Sequence, residues 1–205
     1  MSIRAVIFDV GGVISTSPFE AFARYEADNG LPDGLLRGLN ATNSDSNAWA
    51  RLERSEVDLP TFAALYEAEA AAAGHTIDGL AVLALLSGDI RPAMVEAVRR
   101  CHERLKTAFL TNNFGVADGA GPWNGVRADV DVIVESSRVG LRKPDPAIYR
   151  LVCDELEIEP HEAVFLDDLG VNLKPARALG MTTIKVVDPD AALDELEAVV
   201  GFALR

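Results

Sequence analysis

The chain has 205 residues, 49% of them hydrophobic and 25% charged, with a formal net charge of −13. That length suits one sizeable core, or a core with a small insert, and the acidic balance argues against nucleic acid or an anionic membrane surface as a partner. No apolar run approaches the ~20 residues needed to span a bilayer, the N-terminus does not read as a signal peptide, and two cysteines in helical stretches, Cys101 and Cys153, suit reduced core thiols, so a cytoplasmic location is expected.

The first predicted element is a strand. Ile3, Ala5, Val6, Ile7 and Phe8 form a nearly unbroken apolar run, the pattern of a strand buried on both faces of a parallel sheet. Asp9 follows at once, then Gly11 and Gly12, which allow a sharp turn. Residues 17 to 87 read as helical and Ala-rich. Pro18 opens a helix through Phe19, Phe22 and Tyr25 that Asn29-Gly30 ends. A polar loop at 40 to 47 precedes a short helix from Trp49 to Arg54, a clear helix from Phe62 to Ala73, and a helical piece from Leu80 to Leu86. Nothing in this stretch reads as a strand, so it is expected to be a helical insert.

The pattern changes near residue 90. A helix is predicted from Pro92 to Leu105 and a strand from Thr107 to Leu110, ending in Thr111-Asn112. Residues 114 to 129 are Gly-rich and irregular. A strand from Val130 to Val134 leads to the loop Gly140-Leu-Arg-Lys-Pro-Asp-Pro. Asp145 and Pro146 start a helix from Ala147 to Leu156. A strand from Ala163 to Leu166 ends in Asp167-Asp168. A helix from Asn172 to Leu179, a strand from Thr182 to Val187 and a helix from Ala191 to Val200 complete the chain. Such alternation predicts a doubly wound, Rossmann-like α/β core with a parallel sheet and right-handed crossovers. The expected division is a core of residues 1–16 and 88–205 and an inserted helical cap of residues 17–87.

Parallel strands end on one edge, where open α/β sheets bind ligands. Asp9, Thr111-Asn112 and Asp167-Asp168 therefore converge, and Lys143 can join them from its Pro-fixed loop. Two like charges 4 Å apart cost about 4 kcal/mol at an effective dielectric near 20, so three carboxylates need positive charge beside them. Mg²⁺ takes one or two carboxylates plus substrate oxygens, and Lys143 is a fixed cation. Thr111 and Asn112 supply donors for an oxyanion. An unprotonated Asp suits a covalent nucleophile of the aspartyl-phosphate kind.

Four segments carry a resemblance over essentially the whole chain. They are Phe8-Asp9-Val10-Gly11-Gly12-Val13, Leu110-Thr111-Asn112, Arg142-Lys143-Pro144-Asp145-Pro146 with Ile148-Tyr149, and Phe165-Leu166-Asp167-Asp168 with Asn172. In this order they resemble the motifs of the haloacid dehalogenase superfamily. Residues 163 to 181 look most like the phosphatase-type domain of soluble epoxide hydrolases and of multidomain acyl-CoA dehydrogenases. The resemblance implies a hydrolase acting on a small phosphorylated metabolite, with Asp9 as nucleophile and Mg²⁺ ligand. It implies Gly11 (through its carbonyl), Asp168 and Asp167 as further ligands, Thr111, Asn112 and Lys143 as phosphate clamp, and residues 17–87 as a cap. The rival readings are a metal-independent dehalogenase, and a degenerate domain that only binds. One departure stands out: relatives usually carry a second Asp two residues after the nucleophile as general acid and base, and here that position is Gly11. Three acids of the insert, Asp45, Glu53 and Glu56, are the candidates to replace it.

Overall fold

The computed structural model describes residues 2–114 and 125–205. Five strands form one sheet: β1 (Ala5–Phe8), β2 (Lys106–Thr111), β3 (Val132–Glu135), β4 (Ala163–Asp167) and β5 (Thr182–Lys185). Their order is β3-β2-β1-β4-β5, and every pairing is parallel. The first strand is thus central, which explains its unbroken apolar run. Val6 and Phe8 face one apolar layer with Met94, Val98 and Leu193, while Ala5 and Ile7 face another with Ile148, Val152 and Leu173. The two layers come from helices on opposite faces of the sheet, α6 (Pro92–His102) and α10 (Pro189–Val200) on one side, α8 (Pro146–Glu155) and α9 (Gly170–Ala178) on the other. That is the doubly wound arrangement expected from the alternation of strand and helix.

Between the turn after β1 and α6 the chain makes five helices: α1 (Phe19–Asp28), α2 (Leu35–Ala41), α3 (Ala48–Glu53), α4 (Leu59–Ala72) and α5 (Gly79–Ala84). They enclose a third apolar cluster, in which Trp49 meets the ring of Phe62 at 4.9 Å and that of Tyr66 at 5.8 Å, both edge-on. Edge-on aromatic pairs at such separations add to simple burial. Trp49 and Phe62 are therefore packing residues. The cluster also takes in Phe114, just past β2, so the helical unit seats on the carboxyl end of the sheet.

Two elements differ from the sequence expectation. Helix α2 had no counterpart there, and its cap is remote: the buried Glu26 of α1 accepts from Gly34 N at 2.8 Å and Leu36 N at 2.7 Å. A short helix, α7 (Ser136–Val139), also follows β3. The Gly-rich expectation over 114 to 129 lies largely outside the described residues. Where it is described, a single 3₁₀ turn runs from Arg127 to Asp129. Cys101 and Cys153 are buried free thiols, as expected.

Candidate active site

The site is built at the carboxyl ends of the three central strands. Asp9 leaves β1 in extended conformation, and its Oδ1 accepts from Val10 N at 2.7 Å. The chain then makes a wide turn over Val10–Ile14, closed by Ser15 N donating to Val10 O at 3.0 Å. Gly12 sits at φ +77, and a Cβ there would run into the Asp168 carboxylate. Here glycine is required twice over, by backbone sign and by the close approach of the acid. Gly11 is different. Its φ of −65 and ψ of 128 suit any residue, and a Cβ there would meet no atom within 4 Å.

Lys143 is buried to 1% exposure, and its Nζ lies 2.7 Å from both Asp9 Oδ2 and Asp167 Oδ2. Such charge-assisted contacts are among the strongest hydrogen bonds a protein makes. Its ammonium also lies 5.6 Å from the centre of the Phe165 ring. Burial alone would push the Lys143 ammonium down, but Asp167 and Asp9 outweigh burial and hold it above its ordinary range.

Asp167 is fully buried, and both of its oxygens are occupied. Oδ1 accepts from Leu169 N at 2.8 Å, and Asn172 Nδ2 donates to Oδ1 and Oδ2 at 3.1 and 3.0 Å. Tyr149 Oη in turn donates to Asn172 O at 2.7 Å, which fixes the start of α9. Asp168 is only half-buried. Desolvation, then the Asp167 charge, raises its pKa to about 6, with Lys143 opposing. For Asp9 desolvation and the neighbouring acids win over Lys143, and its pKa also rises well above the carboxylate range.

The donor set suits a hard cation. One oxygen each of Asp9, Asp167 and Asp168 can be chosen so that all lie within 4.8 Å of one another. Ionised together, the three carboxylates against one ammonium would leave two negative charges, the charge that a divalent metal balances. Ser17 Oγ, at the start of the helical unit, is buried beside Asp168, and its hydroxyl opposes the rise of the Asp168 pKa, a further oxygen on the same wall. All these are oxygen donors, the class that Mg²⁺ prefers.

Asn112 does not stand free as a clamp. Its Oδ1 accepts from Lys143 N at 2.8 Å and its Nδ2 donates to Lys143 O at 3.0 Å, so its amide grips the lysine's own peptide. Thr111 is buried at the end of β2, where its hydroxyl donates to Asn112 O at 3.4 Å. Of the three acids in the insert, only Glu53 enters. Its Oε2 accepts from Arg142 Nε at 2.6 Å and from Asn112 Nδ2 at 3.3 Å. Asp45 is exposed, and Glu56 is an exposed partner of Arg54 at 2.6 Å. Arg142 and Asn172 lie inside the quoted motifs, yet the sequence alone assigned neither a role. Adjacency to Lys143 and to the last acidic pair was the only signal.

A doubly wound sheet, an acidic cluster and lysine at its carboxyl edge, and a helical unit inserted after the first strand define a class of hydrolases. The chain belongs to the haloacid dehalogenase-like hydrolases, whose family profile matches residues 3–180. It is 38% identical over 210 residues to acyl-CoA dehydrogenase family member 10 of Mus musculus, covering 100% of this chain and 20% of the mouse protein. It is 35% identical over 224 residues to bifunctional epoxide hydrolase 2 of Sus scrofa, covering 100% of this chain and 40% of that protein. The chain therefore spans less than half of either relative. Phosphatase MT3486 of Mycobacterium tuberculosis is 30% identical over 197 residues, 88% of this chain and 86% of its own length. Among solved structures, a haloacid dehalogenase-family enzyme of Bacteroides thetaiotaomicron in complex with magnesium and inorganic phosphate superposes with a TM-score of 0.63. It is 19% identical and is matched over 90% of this chain and 94% of its own, a likeness of fold.

Proposed function

We propose that the protein is a Mg²⁺-dependent phosphatase of small phosphorylated metabolites that works through an aspartyl-phosphate on Asp9. The observation that carries this reading is the buried Lys143 ammonium held between Asp9 and Asp167, with Asp168 alongside. In it Asp9, Asp168 and the Gly11 carbonyl would hold the metal. Asp167, with both oxygens already bonded, places Lys143 and would add its negative charge beside the metal. When bound, Mg²⁺ supplies positive charge to the phosphoryl oxygens.

Asp9 is the nucleophile. Its Oδ1 is fixed by the Val10 amide and its Oδ2 by Lys143, so the carboxylate is oriented before substrate arrives. Lys143 spreads its charge over nucleophile and phosphoryl group, electrostatic preorganisation in a site largely shielded from water. Thr111 offers a hydroxyl to the phosphoryl oxygens, and Asn112 contributes chiefly by holding Lys143. The helical unit of residues 17–87 acts as the cap that covers the site. Support for a phosphoryl rather than a carbon centre comes from the two uncompensated negative charges and from the mycobacterial relative, which bears the name phosphatase.

The test is a screen of phosphate monoesters and 2-haloacids with purified protein, with and without Mg²⁺. The reading expects ester hydrolysis that needs Mg²⁺ and vanishes in Asp9→Asn. Halide release without metal would replace it with the dehalogenase reading, and no turnover of any substrate would leave a binding domain.

A further inference from the structure

The open corner at Gly11 leaves the leaving oxygen without a proton donor from β1. An in-line displacement places the leaving group on the far side of phosphorus from Asp9, toward the helical unit. Among the described residues, one titratable side chain of that unit is hydrogen-bonded into the strand-end cluster, Glu53, at the last position of α3. It sits on Asn112, whose amide holds the Lys143 peptide, and Lys143 in turn touches Asp9. Among the described residues, the hydrogen bonds that Glu53 accepts both fall on Oε2 and none on Oε1. The three histidines are not alternatives. His102 contacts Thr107 and Asp131, at the opposite end of β2, while His75 lies before α5 and His161 before β4.

Resting on the phosphatase reading, we propose that Glu53 of α3 is the proton carrier that stands in for the acid absent at Gly11. In the first step Asp9 forms a bond to phosphorus, the bond from phosphorus to the leaving oxygen breaks, and the Glu53 carboxyl gives its proton to that oxygen. In the second step water attacks the aspartyl-phosphate, its proton passes to the Glu53 carboxylate, and phosphate leaves. The sum is ester plus water to alcohol plus phosphate, with Glu53 restored.

The surroundings of Glu53 suit both forms. Burial pushes its carboxyl up, and the charges of Arg142, Lys143 and Arg54 pull the other way, with burial the stronger. Arg142 aims the side chain: besides its bond to Glu53 it donates to Ser44 O at 2.6 Å, so both cap contacts converge on one guanidinium. An arriving phosphate dianion adds a like charge and favours the protonated acid.

The experiment measures kcat/KM against leaving-group pKa for a series of aryl and alkyl phosphates, with Mg²⁺, on wild type, Glu53→Gln and Glu53→Asp. Wild type is expected to show a shallow dependence. Glu53→Gln should lose about 10²-fold or more on alkyl esters while 4-nitrophenyl phosphate, whose leaving group needs no proton, changes by no more than about threefold. The basic limb of the alkyl-ester pH profile should disappear with it, and Glu53→Asp should recover part of the rate. An equal loss on both ester classes would reduce Glu53 to a partner of Arg142 that seats the cap, and would overturn the proposal. A steep dependence already in wild type would overturn it without any variant, so the proposal does not hang on the folding of Glu53→Gln. A wild type that cleaves no ester at all would refute the phosphatase reading, and this inference with it.

Discussion

Lys143 and Asp167 show how far a single buried charge depends on its partners. The ammonium has two carboxylates at 2.7 Å and almost no exposure. Removing one member of such a group leaves uncompensated charge in a low dielectric, at a cost of about 3–5 kcal/mol. Lys143→Met should therefore lower stability by that order in urea unfolding, and Mg²⁺ should restore part of it by offsetting the three acids. Asp168 makes a pH prediction with a definite sign. Its folded pKa of about 6 lies above the ordinary 3.8, so between these values the native state holds the proton more tightly than the unfolded chain. Stability from this group is greatest below the lower value and falls as pH rises through the window. In metal-free protein, the melting temperature of wild type minus that of Asp168→Asn should fall from pH 4 to pH 6.5 and then level off. Added Mg²⁺ should flatten the fall, because metal and proton compete for one carboxylate.

The turn after β1 is the element on which the two glycines part company. Gly11 has ordinary dihedrals and open space, so Gly11→Ala should leave the melting temperature within about 2 °C, an effect of a few tenths of a kcal/mol. Gly12→Ala must adopt a positive φ and collide with Asp168, so it should cost stability and weaken Mg²⁺ binding in calorimetry. Sequence carried much of this element: an apolar run, an acid and two glycines predict a buried strand with a ligand-facing end. It did not say which glycine was obligatory, since that depends on Asp168, far away along the chain. Helix α2 was illegible for a related reason. Its start lacks a local capping side chain and relies on Glu26, with |i−j| of 8 and 10 to the two amides it caps. The pairing of Glu53 with Arg142 spans |i−j| of 89, so the sequence named Glu53 as a candidate without being able to separate it from Asp45 and Glu56.

At the scale of the molecule, the described contacts between the helical unit and the core include Phe114 against the unit's apolar cluster and the polar bonds of Glu53 to Arg142 and Asn112, Arg142 to Ser44 O, and Ser55 Oγ to Ser137 O at 2.8 Å. Polar bonds of this kind can break and re-form as a unit opens for substrate and closes over it. Hydrogen exchange in residues 17–87 should slow when orthovanadate and Mg²⁺ are bound, and unchanged protection with ligand demonstrably present would exclude closure. The central place of β1 bears on biogenesis as well. Both strands that flank it are made much later, and the Arg4 amide finds its acceptor only at Glu162. At about 5–20 residues per second, a ribosome leaves this fully apolar strand without its β4 partner for roughly 8–30 s. Nascent chains stalled before β4 emerges should be digested by protease and held by chaperones, and resistance should arrive abruptly once β4 clears the exit tunnel.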